Sequence, residues 1–129
     1  MHPNEDVVRR LFSAFQANDM ATVDTLLADD VVWNAPGRGM NAGRRSGKQE
    51  LFAAMGRLAE LTGRTLRGDI HDVLANDDHV VVLQTTRGER SGRAPLIDRE
   101  AIVLHVRAGR VAEVWEHPGD LHAMDAFFA

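Results

Sequence analysis

Cysteine and tyrosine are both absent from this chain of 129 residues. Without cysteine there can be no disulfide framework, thiolate metal site or cysteine nucleophile, a composition that fits a cytoplasmic protein. Without tyrosine, one common catalytic acid is removed outright. Positive charge is not in excess either: 15 Lys and Arg against 19 Asp and Glu leave a net charge of −4. A phosphate backbone would find no basic surface, so nucleic acid is not an expected partner. Long apolar runs are missing as well. The longest aliphatic stretch is Val80–Leu83, far short of a membrane span. The opening MHPNEDVVRRLF lacks the apolar segment of a signal peptide. No repeat, low-complexity segment or boundary interrupts the chain, so residues 1–129 read as one domain without a membrane partner.

What is present is an ordinary globular composition, 44% hydrophobic and 26% charged. Val8, Leu11, Phe12 and Phe15 recur at helical spacing, which predicts an amphipathic helix over Pro3–Ala17. A second, shorter helix follows Asp19 as N-cap, with Val23, Leu26 and Leu27 inward, and ends at Asp29-Asp30. Val31–Asn34 reads as a strand stopped by Ala35-Pro36-Gly37, and the Gly- and Arg-rich Gly37–Gly47 as a loop. Ser46-Gly47-Lys48-Gln49 matches a capping box opening a third helix, with Leu51, Met55, Leu58 and Leu61 along one stripe.

From Arg64 the period changes to two. Thr65–Ala75, His79–Arg87, Ile97–Arg107 and Arg110–His117 read as strands joined by hairpin-length turns. A last helix runs from Gly119 to Phe128. Helices segregated from an antiparallel meander define an α+β fold, and a curved sheet closed by a helix leaves a cavity for a small ligand.

Several passages resemble the SnoaL-like members of the nuclear transport factor 2-like superfamily. They are Asn18-Asp19-Met20 with Leu27-Ala28-Asp29-Asp30-Val31-Val32-Trp33, then Gly43–Gln49, then Gly109-Arg110-Val111 with Trp115-Glu116-His117-Pro118-Gly119-Asp120. The resemblance implies a cystatin-like cone, a curved antiparallel sheet covered by three helices. It implies no single activity, because the superfamily includes polyketide cyclases, isomerases, epoxide hydrolases and non-catalytic binding proteins. The ketosteroid isomerase pattern fails here: its base position before Pro36 is Ala35, and its tyrosine has no counterpart. The limonene-epoxide hydrolase pattern places its strand Arg and Asp at Gln84 and Thr86, and its water-holding Asn at Asn34. Its water-activating Asp falls on Glu116 in the ungapped alignment, or on His117 if the tryptophans are matched. The SnoaL cyclase pattern needs a carboxylate and histidines lining the cone, parts that Glu116 with His71 or His117 could play.

Period two on the strands gives independent candidates. Ile102, Leu104 and Val106 share a face that continues through Glu100 and Asp98, an apolar wall turning acidic. Half-buried carboxyls there suit general acid/base work, with a solvated strand end as the alternative. Glu116 shares the face of Val114, and Trp115 points away, toward core packing or an interface. The catalytic candidates are therefore Glu116, His71 and Glu100, and the ligand-binding candidates Asn34, Gln84, Thr86, Asp98, His117 and Trp115. Trp33 reads as core, and Arg38, Arg44 and Arg45 as a solvated loop, with closure over an acidic ligand as the alternative. No two of the six histidines have helical i, i+4 spacing, so neither a metal nor another cofactor is expected. The face of Ala101, Val103, His105 and Trp115 is too apolar to be left in water, which predicts a homodimer. Two functions fit: a cofactor-free acid/base enzyme on a small hydrophobic cyclic or polyketide-like molecule, or a non-catalytic ligand- or protein-binding module.

Overall fold

The computed structural model describes every residue from Met1 to Ala129. In chain order it runs α1 (Pro3–Gln16), α2 (Met20–Leu26), β1 (Leu27–Ala35), β2 (Gly43–Ser46), α3 (Lys48–Leu61), β3 (Arg67–Ala75), β4 (His79–Gly88), β5 (Leu96–Arg107), β6 (Arg110–His117) and α4 (Leu121–Phe127). The strands form one curved sheet in the order β2-β1-β6-β5-β4-β3. Every neighbouring pair is antiparallel except β1 and β6, which run parallel, so the sheet is mixed at that one junction. No helix is long and apolar enough to cross a membrane.

Local chemistry sets most of the boundaries. The His2 side chain caps α1 by accepting the Asn4 N–H, and Pro3 occupies the first turn, where its missing N–H costs nothing. Asp19 caps α2 by accepting from the Thr22 N–H and hydroxyl. The β5–β6 hairpin turns on Ala108 and Gly109, both at positive φ (52° and 76°), the handedness that matches strand twist.

Three boundaries differ from the sequence expectation. α2 stops at Leu26 and passes directly into β1, so Asp29 and Asp30 lie within a strand. The stretch expected as a loop contains β2, which pairs its Gly43–Ser46 with Ala35–Val32 of β1. The capping box does not form, because Ser46 is committed to β2 and Gly47 (φ +87°) is the N-cap of α3. No side chain caps α3; the Glu50 carboxylate in its first turn instead accepts the Ser46 N–H of β2 at 2.8 Å.

Helices α1 and α3 cover the concave face. Val8, Leu11, Val31, Val80, Leu104 and Val111 are at most 1% exposed and form the centre of the core. Leu51 is buried, and Met55 is half-buried against the core. The opposite, convex face has no helix over it. There Val81, Val103 and Trp115 stand in register across three strands, beside His79, His105 and Glu113.

Asp98 on β5 is 4% exposed and ties down the connection to α4, accepting the N–H groups of Gly119 (3.2 Å) and Asp120 (2.9 Å). It is a structural anchor rather than a ligand contact. Asp98→Ala removes the charged acceptor of two N–H groups on residues that are themselves exposed, at a cost of ~1–3 kcal/mol. Urea unfolding should report that loss as a lower midpoint with an unchanged slope.

Candidate active site: a shared proton between two glutamates

Four concave-facing residues of the central strands converge on one point. Register places Gln84 of β4 opposite Glu100 of β5, Thr86 opposite Asp98, and Ile102 opposite Glu116 of β6. Glu116 is thus the diagonal neighbour of Glu100 on the same face, a spacing long side chains bridge. On the far side of β6 the parallel strand β1 presents Trp33, which pairs with Val114. These side chains line a cavity of about 1020 Å³ whose apolar walls include Phe12, Phe15, Met55, Leu66 and Phe128.

The hydrogen bonds run in one direction. The Trp33 indole N–H donates to Glu116 Oε2 at 2.6 Å. The Thr86 hydroxyl donates to Glu100 Oε1 at 2.6 Å, so it must accept from Gln84, whose Nε2 lies 2.9 Å away. That fixes the Gln84 amide with its nitrogen toward Thr86 and leaves its buried Oε1 without a partner. The amide fits only because residue 68 is glycine, since a Cβ there would overlap the amide atoms. Asn41, also buried, has its Oδ1 unpartnered against the same cavity.

Electrostatics then settle the protonation of the pair. Burial pushes the Glu116 carboxyl up to about 8, the neighbouring charge of Glu100 pushes the same way, and the Trp33 N–H and the Arg45 charge oppose them. Glu100 is also raised, first by burial; the Thr86 and Glu116 hydrogen bonds pull it down, and Asp98 repels it further up. Glu116 is therefore the member of the pair that holds its proton at neutral pH, next to the Glu100 carboxylate. The two groups titrate as one unit with a single shared proton.

Arg45 completes the surroundings. Its guanidinium lies 5.2 Å from the Trp33 ring centre and donates to the Asn41 and Met40 carbonyls at 2.6 and 3.2 Å. A cation over an indole face is attracted to it, and here the ring is the one that donates to Glu116.

Of the residues singled out from sequence, Glu116, Glu100, Gln84 and Thr86 come together here and the other five do not. Asn34 points to the convex side, its amide donating to Glu113 and the Val114 carbonyl, because Val31 and Trp33 take the inward positions of β1. His71 sits at a bulge between Ile70 and Asp72 that turns it outward onto the Thr85 hydroxyl, 2.7 Å away. His117 alternates with Glu116 and is exposed opposite Ala101, so Glu116 holds the inward position of the two. Trp115 lies on the convex face, 6.4 Å from the His79 ring. Asp98 is occupied by the loop before α4. Sequence reasoning missed Trp33 and Arg45. Period two from Val31 through Ala35 carried the signal for Trp33, whereas nothing in a Gly- and Arg-rich stretch marks Arg45. No group of three His, Cys, Asp or Glu side chains gathers as a metal site.

Comparison with known proteins fits this arrangement to a family. Residues 8–114 match the SnoaL-like domain. Rv0034, an uncharacterised protein of Mycobacterium tuberculosis, is 34% identical over 125 residues, covering 96% of this chain and 95% of its own. The structure of Bal32a, from a soil-derived mobile gene cassette, superposes with a TM-score of 0.93 at 35% identity, over 98% of this chain and 97% of its own. IdmH from Streptomyces antibioticus, described as a candidate polyketide cyclase, shares the fold at a TM-score of 0.76 and 20% identity, covering 96% of each chain. The chain belongs to the SnoaL-like domain family, with the nuclear transport factor 2-like fold.

Proposed function

We propose that the protein is a cofactor-free, cytoplasmic acid/base enzyme of the cyclase, isomerase or hydrolase type, acting on a hydrophobic cyclic or polyketide-like molecule. The observation that carries this reading is the placement of Glu100 and Glu116 as diagonal neighbours on one face of the sheet, each held by its own donor, Thr86 and Trp33, in the wall of the cavity. Such a pair offers a base and an acid to one ligand at once. A ligand carbonyl entering between them takes the Glu116 proton on oxygen, while Glu100 takes a proton from the adjacent carbon. The enol so formed is reprotonated at a second carbon, which isomerises it, or attacks a second carbonyl, which closes a ring. Trp33 keeps Glu116 aimed, and the chain from Gln84 through Thr86 holds Glu100 in its ionised form.

The direct test uses 2-tetralone, a hydrophobic cyclic ketone, with exchange of its acidic C–H in D2O followed by NMR. The wild-type protein should accelerate exchange with a bell-shaped pH profile whose alkaline limb falls near about 8. Glu116→Gln should reduce the rate by roughly 10²–10⁴ and abolish that limb. Binding of 2-tetralone without any acceleration would refute the enzyme and leave a non-catalytic binding module.

Stability should carry the same signature. Folded Glu116 keeps its proton up to about 8, while the unfolded side chain releases it near 4.5. Between those values the folded state binds more protons, so stability falls as pH rises through the window. Glu116→Gln should flatten this decline, gaining on wild type at about pH 9 and matching it near about pH 5 in urea unfolding.

A second copy of the chain is the proposed cover for the convex face, where Val81, Leu83, Ala101, Val103 and Trp115 meet solvent with no helix above them. Light scattering at micromolar concentration should return twice the chain mass, and a charge placed there by Val103→Lys should return the monomer.

A further inference from the structure

The carboxyl pair carries a charge that no side chain of the protein balances. Neither Glu100 nor Glu116 forms an ion pair, although Asp24, Asp30 and Asp69 do so elsewhere. The Arg45 guanidinium lies against the Trp33 ring and is spent on the Asn41 and Met40 carbonyls. Arg67 and Arg87 alternate with the inward Gly68 and Thr86, so their side chains belong to the convex face, where Asp69 pairs with Arg87 at 2.8 Å. Arg64 lies in the exposed connection after α3. A charge held away from water without a counter-charge is costly.

Acceptors at the same place are left open. Thr86 engages Glu100 Oε1 and Trp33 engages Glu116 Oε2. Apart from the proton of the pair itself, the second oxygen of each carboxyl group receives no donor from the surrounding N–H and hydroxyl groups. A third acceptor stands on the facing strand. Gln84 is 7% exposed and lines the cavity, and its Oε1 is unpartnered because its amide nitrogen is turned to Thr86. Buried acceptors without a donor are uncommon in folded proteins, and in a cavity wall they mark a place for a ligand. The remaining wall includes the rings of Phe12, Phe15 and Phe128, which suit an apolar body and, at a ring face, a cation.

We infer that this cavity binds a hydrophobic amine as its ammonium ion, the nitrogen at the Glu100 and Glu116 carboxyl groups and the ring system among Phe12, Phe15 and Phe128. An ammonium supplies positive charge and several N–H donors, the two things that the acidic end of the cavity lacks. Amine binding rests on the same carboxyl pair as the acid/base reading, and it adds a cationic ligand class that chemistry on a ketone does not require.

Two probes share one ring system and differ in charge at a single position, 2-aminotetralin and the neutral 2-tetralol, titrated calorimetrically at neutral pH into the wild type and the E100Q/E116Q double variant. The amine should bind the wild type at least about tenfold more tightly than the alcohol. In the double variant that preference should fall to about one, with the alcohol still bound as the sign of an intact cavity. In the wild type an excess of 2-tetralol should displace the amine, a result that needs no variant to fold. Equal binding of amine and alcohol by the wild type would overturn the proposal, while exchange of 2-tetralone would still decide the acid/base reading separately. An amine preference that survives in the double variant, or amine binding that 2-tetralol leaves untouched, would also overturn it, by tracing the attraction to the net charge of −4 rather than to the pair. Failure of amine, alcohol and 2-tetralone alike to bind would overturn the two readings together.

Discussion

Two carboxyl groups within hydrogen-bonding reach of each other, away from water, cannot both carry charge. The architecture around the cavity of this protein answers that constraint. One proton on Glu116 removes the repulsion between the pair. The remaining negative charge sits on Glu100, where the Thr86 hydroxyl and the Gln84 amide stabilise it. Trp33 cannot accept a hydrogen bond, so its N–H orients Glu116 without offering a second place for the proton.

The parallel junction of β1 with β6 makes this possible. An antiparallel meander alone would end at β6, with Glu116 on an open edge in water. Adding β1 alongside covers that edge and sets an indole beside the carboxyl, and β2 beyond it brings Arg45 over the indole. The edge strand hidden in a Gly-rich segment thus has a consequence at the site two strands away.

The fold was legible because its signals were periodic and local. The stripes of α1 and α3, the Asp19 cap and the hairpin turns each follow from a few neighbouring residues, and their boundaries moved by only one to three positions. The inward set of β4, β5 and β6 was legible for the same reason, since each strand carries its apolar face in continuous alternation. Errors arose where alternation breaks or where an analogy displaced it. The bulge at His71 reverses the facing of one residue, and no local pattern announces it. The resemblance makes Asn34 a ligand-binding candidate, yet Val31 and Trp33 hold the inward positions of β1 and leave Asn34 on the other face. Asp98 follows the alternation correctly, yet its carboxylate is used up by a loop distant in sequence. Long-range satisfaction of polar groups is invisible to any local pattern.

One concave face therefore performs two tasks, divided along the length of its strands. On β4 the inward series runs Val80, Val82, Gln84, Thr86, and on β5 it runs Leu104, Ile102, Glu100, Asp98. Antiparallel register aligns the two changes from apolar to polar at the same level, Gln84 against Glu100. On β6 the change falls between Val114 and Glu116, beside Ile102. The aliphatic half packs under α1 with Val8 and Leu11 and supplies the burial that stabilises the domain. Across the other half the helices stand clear of the sheet and leave the cavity. Polar groups there are costly to bury, and hydrogen bonds recover that cost for all but two oxygens, those of the Gln84 and Asn41 amides. Core and site share the same strands and meet at Trp33 and Phe128, which belong to the apolar cluster and line the cavity as well.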